Sequence, residues 1–481
     1  MNKIRLVRIA CRNTLHSLYW PLGVLSSLVL LALACHAQDL IVDCSGQDPN
    51  AFHRIQDALP NIPLTPWQVV MQVTGTCNEN VYIGHLRNLM IAAPLGQTAT
   101  IQGDGVSYAP LMVDASTGIY LYGLILTGGQ GPGLSVSSGA EVRIDTCTFQ
   151  GNPGAGMAVS DNSAVTVYSG TFTDNNNGIQ IFGNATVDHA SWAGGSVVMS
   201  GNGVAGLFLS SGATYATGGN TIIQNNGLTA SSGPDGFGVD VRGSGRIQFG
   251  SYMGPNVISG NRLGGVSLSE NAEISFWGGS NTISDNGEVG IWNRLGSQIT
   301  FAGNVVISRH SAIGVDISSK SQAFFDAAAG PNIIRNNGSG SAAIRAGIRV
   351  DGNSQLVLTG PNHITQNGGP GVLGDINSSM DVSGSTISGN QSDGIRALHQ
   401  TVVDLGPGMS LTGNGGAPIT CDNTSMLVTA VKASSRCLNV QASDWGSHEA
   451  VGLASIPSVP NFSGKMKEYT RERSLIPRPR R

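Results

Sequence analysis

The chain has 481 residues, of which 67 are Gly, and only 12% are charged, about half the usual share for a globular domain. A hydrophobic fraction of 40% still suffices for a core, so disorder is excluded, and the low charge argues against a nucleic-acid binder. The N-terminal leader carries +4 and the last 17 residues +5, which leaves −13 on residues 38–464 out of a total of −4. A bare polyanion is repelled by such a body unless a cation bridges the two.

The first 37 residues read as a signal peptide: Lys3, Arg5, Arg8 and Arg12 precede an apolar run from Pro21 to Ala34, with small residues for cleavage after Ala37. An uncleaved anchor is the alternative, since Leu18 to Ala34 nearly reaches spanning length. Cleavage predicts a secreted protein, extracellular or periplasmic, with no membrane segment afterwards. In that oxidising compartment the remaining cysteines suggest two terminal disulfides, Cys44–Cys77 and Cys421–Cys437, with Cys147 a buried thiol.

Residues 38–110 are expected to hold an N-terminal cap and the first coils, and 111–440 the regular body. In the body an apolar residue preceded by Gly returns at Leu134, Met157, Ile179, Leu207, Val239, Val266, Ile291, Val315, Ile348, Val372 and Ile395, then at Ile419 after Pro418. Each unit alternates with period two in three parts, as in Gly238-Val239-Asp240-Val241, Ser354-Gln355-Leu356-Val357-Leu358 and Asn281-Thr282-Ile283-Ser284-Asp285-Asn286. Three short strands cannot bury their faces alone, so successive units must stack, each strand pairing with its equivalents above and below. The fold class predicted is all-β: a right-handed parallel β-helix of about 12–14 coils, three strands per coil, with an N-terminal capping helix. Twelve coils at about 4.8 Å each make a rod about 58 Å long.

The third strand ends in Asn at Asn152, Asn175, Asn202, Asn226, Asn261, Asn286, Asn337, Asn367, Asn390 and Asn414, interrupted only by His310. Stacked amides can hydrogen-bond along the rod, and Asn tolerates the left-handed backbone such a corner needs, so the ladder reads as structural.

These repeats resemble the carbohydrate-binding-and-sugar-hydrolase type of the pectin-lyase-like β-helix superfamily. The opening, Phe52-His53-Arg54-Ile55-Gln56-Asp57-Ala58-Leu59 followed by Val73 to Ile83, is similar to the helix-plus-strand start of pectin methylesterases. The resemblance implies a helix that plugs one end of the rod, and a ligand groove along one stacked sheet between loops. Catalytic patterns do not follow: Ser392-Asp393-Gly394-Ile395 is similar to one polygalacturonase motif, but its partners are missing.

Two insertions, Gly227 to Phe237 and Gly338 to Ala346, leave from the Asn corner four turns apart. Between them the outward positions of the first strand read Asp240, Ser267, Trp292, Asp316 and Arg349, with Arg396 beyond; the next outward positions read Arg242, Ser269, Arg294, Ser318, Asp351 and Asp375. Charged groups around one aromatic platform suit a polyhydroxylated chain. Trp292, Arg242, Arg294, Asp351 and Arg396 are therefore the candidate binding residues for an extracellular polysaccharide. If the protein is an enzyme, a polysaccharide lyase or glycoside hydrolase, Asp240, Asp316 and Arg349 are the candidate catalytic groups, and Asp316, Asp351 and Asp375 could hold Ca2+. Ion pairing across the sheet, of Asp316 with Arg349 on adjacent rungs and of Asp240 and Arg242 with their neighbours, is the structural alternative. An outward Trp292 needs a loop or ligand to cover it. A different class of reading is a non-catalytic surface or matrix protein, adhesin-like, with the rod as a spacer. A monomer is expected, and residues 441–481, Pro-rich and basic, read as a disordered tail.

Overall fold

The computed structural model describes residues 39–62, 68–229 and 236–428. The expected signal peptide, the expected C-terminal tail and the expected Cys421–Cys437 pairing lie outside the described residues.

Every strand belongs to one of three parallel sheets, visited in turn by a right-handed coil of about 15 turns. Sheet 1 has 14 strands, from Val81–Gly84 to Ile419–Cys421, and holds those led by the Gly of the repeat. Sheet 2 has 16, from Asp39–Asp43 to Met426–Leu427. Sheet 3 has 14, from Thr76–Asn78 to Ser410–Thr412, and leads into the Asn corner in the turns that carry the ladder. The register aligns equivalent residues of successive turns: Val266 with Ile291, Ile291 with Val315, Val315 with Ile348. Most strands of sheet 3 alternate buried and partly exposed residues, several of sheet 1 are buried throughout, and the inward side chains form one continuous core. Inside sheet 2, Phe249, Phe276, Phe301 and Phe325 stack with centroids 5.1, 5.6 and 4.2 Å apart.

The rod starts earlier than the repeat count suggests, because coils already form within residues 39–114, where the Asn mark is missing. The only α-helix among the described residues is short, Ile55–Ala58, continued by a 3-10 turn over Leu59–Asn61. Its Ile55, Ala58 and Leu59 join the core at the first strands. The buried carboxylate of Glu79 accepts the backbone N–H of Ile55 at 2.6 Å and of Gln56 at 3.1 Å, satisfying helix-end donors from outside the helix. Cys44 and Cys77 are joined as expected, and Cys147 is free and buried, its thiol pushed up to about 12 by desolvation.

The ladder forms as predicted. The backbone N–H and side-chain Nδ2 of Asn226 both donate to Asn261 Oδ1, at 3.0 and 2.9 Å, and Asn261 does the same to Asn286. The expected left-handed Asn needs correcting, for positive φ falls one residue earlier: Gly151, Asp174, Gly201, Asn225, Gly260, Asp285, Arg309, Asn336, Gln366, Gly389 and Gly413 all precede a ladder position. The Gly that leads the repeat strands of sheet 1 is explained by close approach: a Cβ on Gly265 would lie 2.6 Å from Gly290 O and 3.0 Å from Asn286 Nδ2. A second, shorter amide ladder links Asn256 to Asn281 and Asn332 to Asn362 at the corner between sheets 2 and 3, each at 2.9 Å. Among the described residues no helix is long and apolar enough to cross a membrane.

Candidate functional site

Sheet 1 places the candidate residues in the columns expected. Asp240 aligns with Ser267, Ser267 with Trp292, Trp292 with Asp316, Asp316 with Arg349, Arg349 with Leu373 and Leu373 with Arg396. What the sequence did not foretell is burial: Asp240 is 2% and Asp316 7% exposed, on the outer face of a sheet. Buried ions need partners, and neighbouring arginines provide them. Arg242 Nε donates to Asp240 Oδ2 at 2.8 Å, Arg349 lies 3.6 Å from Asp316, and Arg349 also bonds Asp351, just past the end of its own strand. Asp240 Oδ1, Asp316 Oδ1, Asp351 Oδ1, Arg294 Nε and Arg349 Nε are buried with no hydrogen-bond partner among the described residues. Desolvation outweighs the arginines and raises both carboxyls, Asp316 to about 6.

Trp292 is covered from within the protein. The Arg294 guanidinium sits 3.9 Å over its ring and Phe237 lies 6.1 Å away, so the ring expected to receive a sugar already carries a cation. Asp240 and Asp316 stand three turns apart, about 14 Å at the rung spacing, too far to act together on one glycosidic bond.

The proposed calcium ligands do not gather. Arg349 is bonded between Asp316 and Asp351, and Asp375 contacts His399 Nδ1 at 2.6 Å. Among the described residues the one set of three ligand atoms within 4.8 Å is Cys44, Cys77 and Glu79, whose sulfurs are consumed by the disulfide. The donor set therefore does not fit a calcium ion. Arg396 is held by Asp393 at 2.7 Å and Ser392 at 2.9 Å, with Leu373 separating it from Arg349.

Sheet 2 carries an open site that the sequence reading missed. A cavity of about 570 Å³ is lined by Tyr120, Glu141, Arg143 and Tyr168 among others, and a second of about 320 Å³ by Tyr120, Asp145, Tyr168 and Trp192. Tyr168 packs edge-on against Tyr120 at 6.5 Å and Trp192 at 5.9 Å. Tyr120 donates its hydroxyl to Asp145 at 3.3 Å, which fixes the ring. Trp192 stands on a 3-10 turn, Ser191–Ala193, where the coil leaves sheet 2, and is 68% exposed. The rings are distant in sequence and meet only through the register. The available signal was the 28-residue step from Ile179 to Leu207, which holds the excursion.

Residues 100–250 match the family described as right handed beta helix region. This stretch includes Tyr120, Tyr168 and Trp192. No curated protein matches the chain. Among solved structures, the A-module of mannuronan C-5 epimerase AlgE6 from Azotobacter vinelandii is 15% identical, with TM-score 0.35, covering 78% of this chain and 95% of its own. The AlgE4 A-module from the same organism is 13% identical, with TM-score 0.33, covering 75% of this chain and 91% of its own.

Proposed function

We propose that this is an exported protein that binds an extracellular polysaccharide, and that the open cleft of sheet 2 is where it does so. The carrying observation is the pair Tyr120 and Tyr168 beside Glu141 and Arg143 around a cavity of about 570 Å³, with Trp192 lining the second cavity of about 320 Å³ that shares both tyrosines. Sugar rings present C–H faces and hydroxyl edges, and such a mixture of aromatic faces and charged hydrogen-bonding groups answers both. Export is supported by the basic, apolar leader and by the Cys44–Cys77 disulfide.

The sheet 1 array is assigned to holding the rod together. Its carboxylates are buried and arginine-bound, and its Trp292 face is filled. Cleavage has one specific feature in its favour: burial raises the Asp316 carboxyl to about 6, into the range a general acid uses.

Glycan binding measured by titration against soluble polysaccharides tests the reading. Wild-type protein should bind, Trp192→Ala and Tyr168→Ala should each weaken binding about tenfold, and Asp316→Asn combined with Arg349→Gln should leave it unchanged. Loss of binding in the sheet 1 variant alone would move the site to sheet 1. A wild-type rod that binds no polysaccharide would leave the spacer reading. Unsaturated or reducing-end products, with or without calcium, would make the protein an enzyme.

A further inference from the structure

We infer that the sheet 2 cleft is one end of a longer track that takes a linear chain of uncharged sugars lying along the rod axis; this rests on the glycan-binding reading above. The register carries the argument. On sheet 2, Tyr122 aligns with Asp145, and His189 with Thr217, which aligns with Phe249, so Ala190, Gly218 and Gly250 occupy one column. That column reaches Trp277 on the next turn. A second aromatic station stands here: Tyr252, 64% exposed, packs edge-on against Trp277 at 5.3 Å, with Met253 beside it 56% exposed.

The two stations leave the coil at the same corner. Trp192 lies between the strands Thr186–His189 and Val197–Ser200, and Tyr252 between Arg246–Gly250 and Asn256–Ser259. Two turns separate their strands, about 10 Å along the axis. The intervening turn crosses this corner as Gly218-Gly219-Asn220, small at its first two positions, and the Asn220 side chain donates to Met253 O at 3.1 Å beside the second station. A Cβ on Gly218 would lie 2.6 Å from Ser191 Oγ, and one on Gly219 would lie 2.4 Å from Gly254 O, so the floor is closed to larger residues.

Beside the aromatic column runs a polar one. Arg143 aligns with Thr166, Thr166 with Asp188, Asp188 with Ala216, Ala216 with Gln248 and Gln248 with Ser275. One stripe offers aromatic faces at two stations with small residues between them, and the next offers hydrogen-bonding side chains at every rung but that of Ala216. Charge selects among polymers. Arg143 and Arg246 are each engaged, by Glu141 and Glu273, both at 3.5 Å, while Asp145 and Asp188 add negative charge to the track. No excess of cations awaits a uronic acid or sulfated chain, and an acidic track repels one.

Affinity for linear uncharged hexose oligomers of two to eight units, compared with matched hexuronic acid oligomers, tests the track. Wild-type affinity should rise about tenfold from the shortest to the longest neutral oligomer, because joined subsites share one entropic loss. Tyr252→Ala should abolish that rise and leave the dimer affinity intact, with an unchanged melting temperature as the folding control; Trp192→Ala should weaken every length. Neutral dimer binding with no gain on lengthening would overturn the track while sparing the cleft. Tighter binding of the uronic acid series would overturn the substrate class. No binding of any oligomer would overturn both.

Discussion

Arg349 lies 3.6 Å from Asp316 on the neighbouring turn and at the same time bonds Asp351 just past the end of its own strand, so one guanidinium, 19% exposed, balances two carboxylates. Removing it leaves both acids without that partner in a poorly hydrated place. Arg349→Ala should destabilise the rod by about 3 kcal/mol in urea unfolding, as breaking a buried pair does. Adding Asp316→Asn should restore part of the loss. A single-variant loss below about 1 kcal/mol would show that the pair is solvated and of little structural weight.

Acid acts on two buried histidines and one buried acid in opposite senses. Burial lowers His189 and His310 from 6.5 to about 4, so the unfolded chain takes up their protons first. Their contribution is present above about pH 6.5 and lost as pH falls toward 4, up to about 3 kcal/mol each. Burial raises Asp316 from 3.8 to about 6, so its contribution is present below about pH 4 and lost as pH rises through 6. Stability measured from pH 7 to pH 4 should therefore fall, and Asp316→Asn should make the fall steeper. A shallower fall in that variant would refute the assignment.

His310 is the one ladder position without an amide. Its ring nitrogens lie 3.4 Å from Asn286 O and 3.2 Å from Ile283 O, while its backbone N–H still donates to Asn337 Oδ1 at 3.2 Å. His310→Asn would supply the Oδ1 that the Asn286 N–H meets in the other turns. The expected gain is about 1 kcal/mol at pH 7, the net worth of a hydrogen bond, and a larger gain at pH 5 because a group that resists protonation is removed. Equal or lower stability at both pH values would mean that the ring's packing outweighs the amide.

The Cys44–Cys77 bond closes a loop of sequence separation 33 that contains the short helix. Chain-entropy arguments value such a closure at about 3–4 kcal/mol. Cys44→Ser with Cys77→Ser should lower the unfolding free energy of the first coils by that amount, read as earlier protease cutting near Ile55. Reductant should do the same to the wild type and nothing to the variant.

The strands, their order and the ladder were legible because they rest on local rules repeated at nearly constant spacing, where one turn predicts the next. The first coils were harder to count, since Val81–Gly84 and Leu111–Asp114 lie on sheet 1 without a ladder Asn to mark their turns. On the outer face, alternation tells that Asp240, Trp292 and Asp316 point outward. It does not tell that Arg242 and Arg294 fold back onto Asp240 and Trp292, because long side chains choose partners in three dimensions. The sheet 2 cleft was hidden for a related reason. Tyr120, Tyr168 and Trp192 become neighbours only once the lengths of the intervening turns are known, and an irregular step conceals the excursion that lifts Trp192.

From one ladder Asn to the next, the backbone N–H and Nδ2 donate to the following Oδ1, and Nδ2 also donates to a carbonyl of the preceding turn, so the coils joined in this way present the same plug at one end and the same socket at the other. A coil copied or deleted between two such corners leaves all remaining junctions chemically unchanged. Gene duplication can therefore lengthen or shorten this protein in whole steps of about 4.8 Å without redesigning a core. The spacing between ring stations on its flank then becomes a quantity that evolution adjusts by counting.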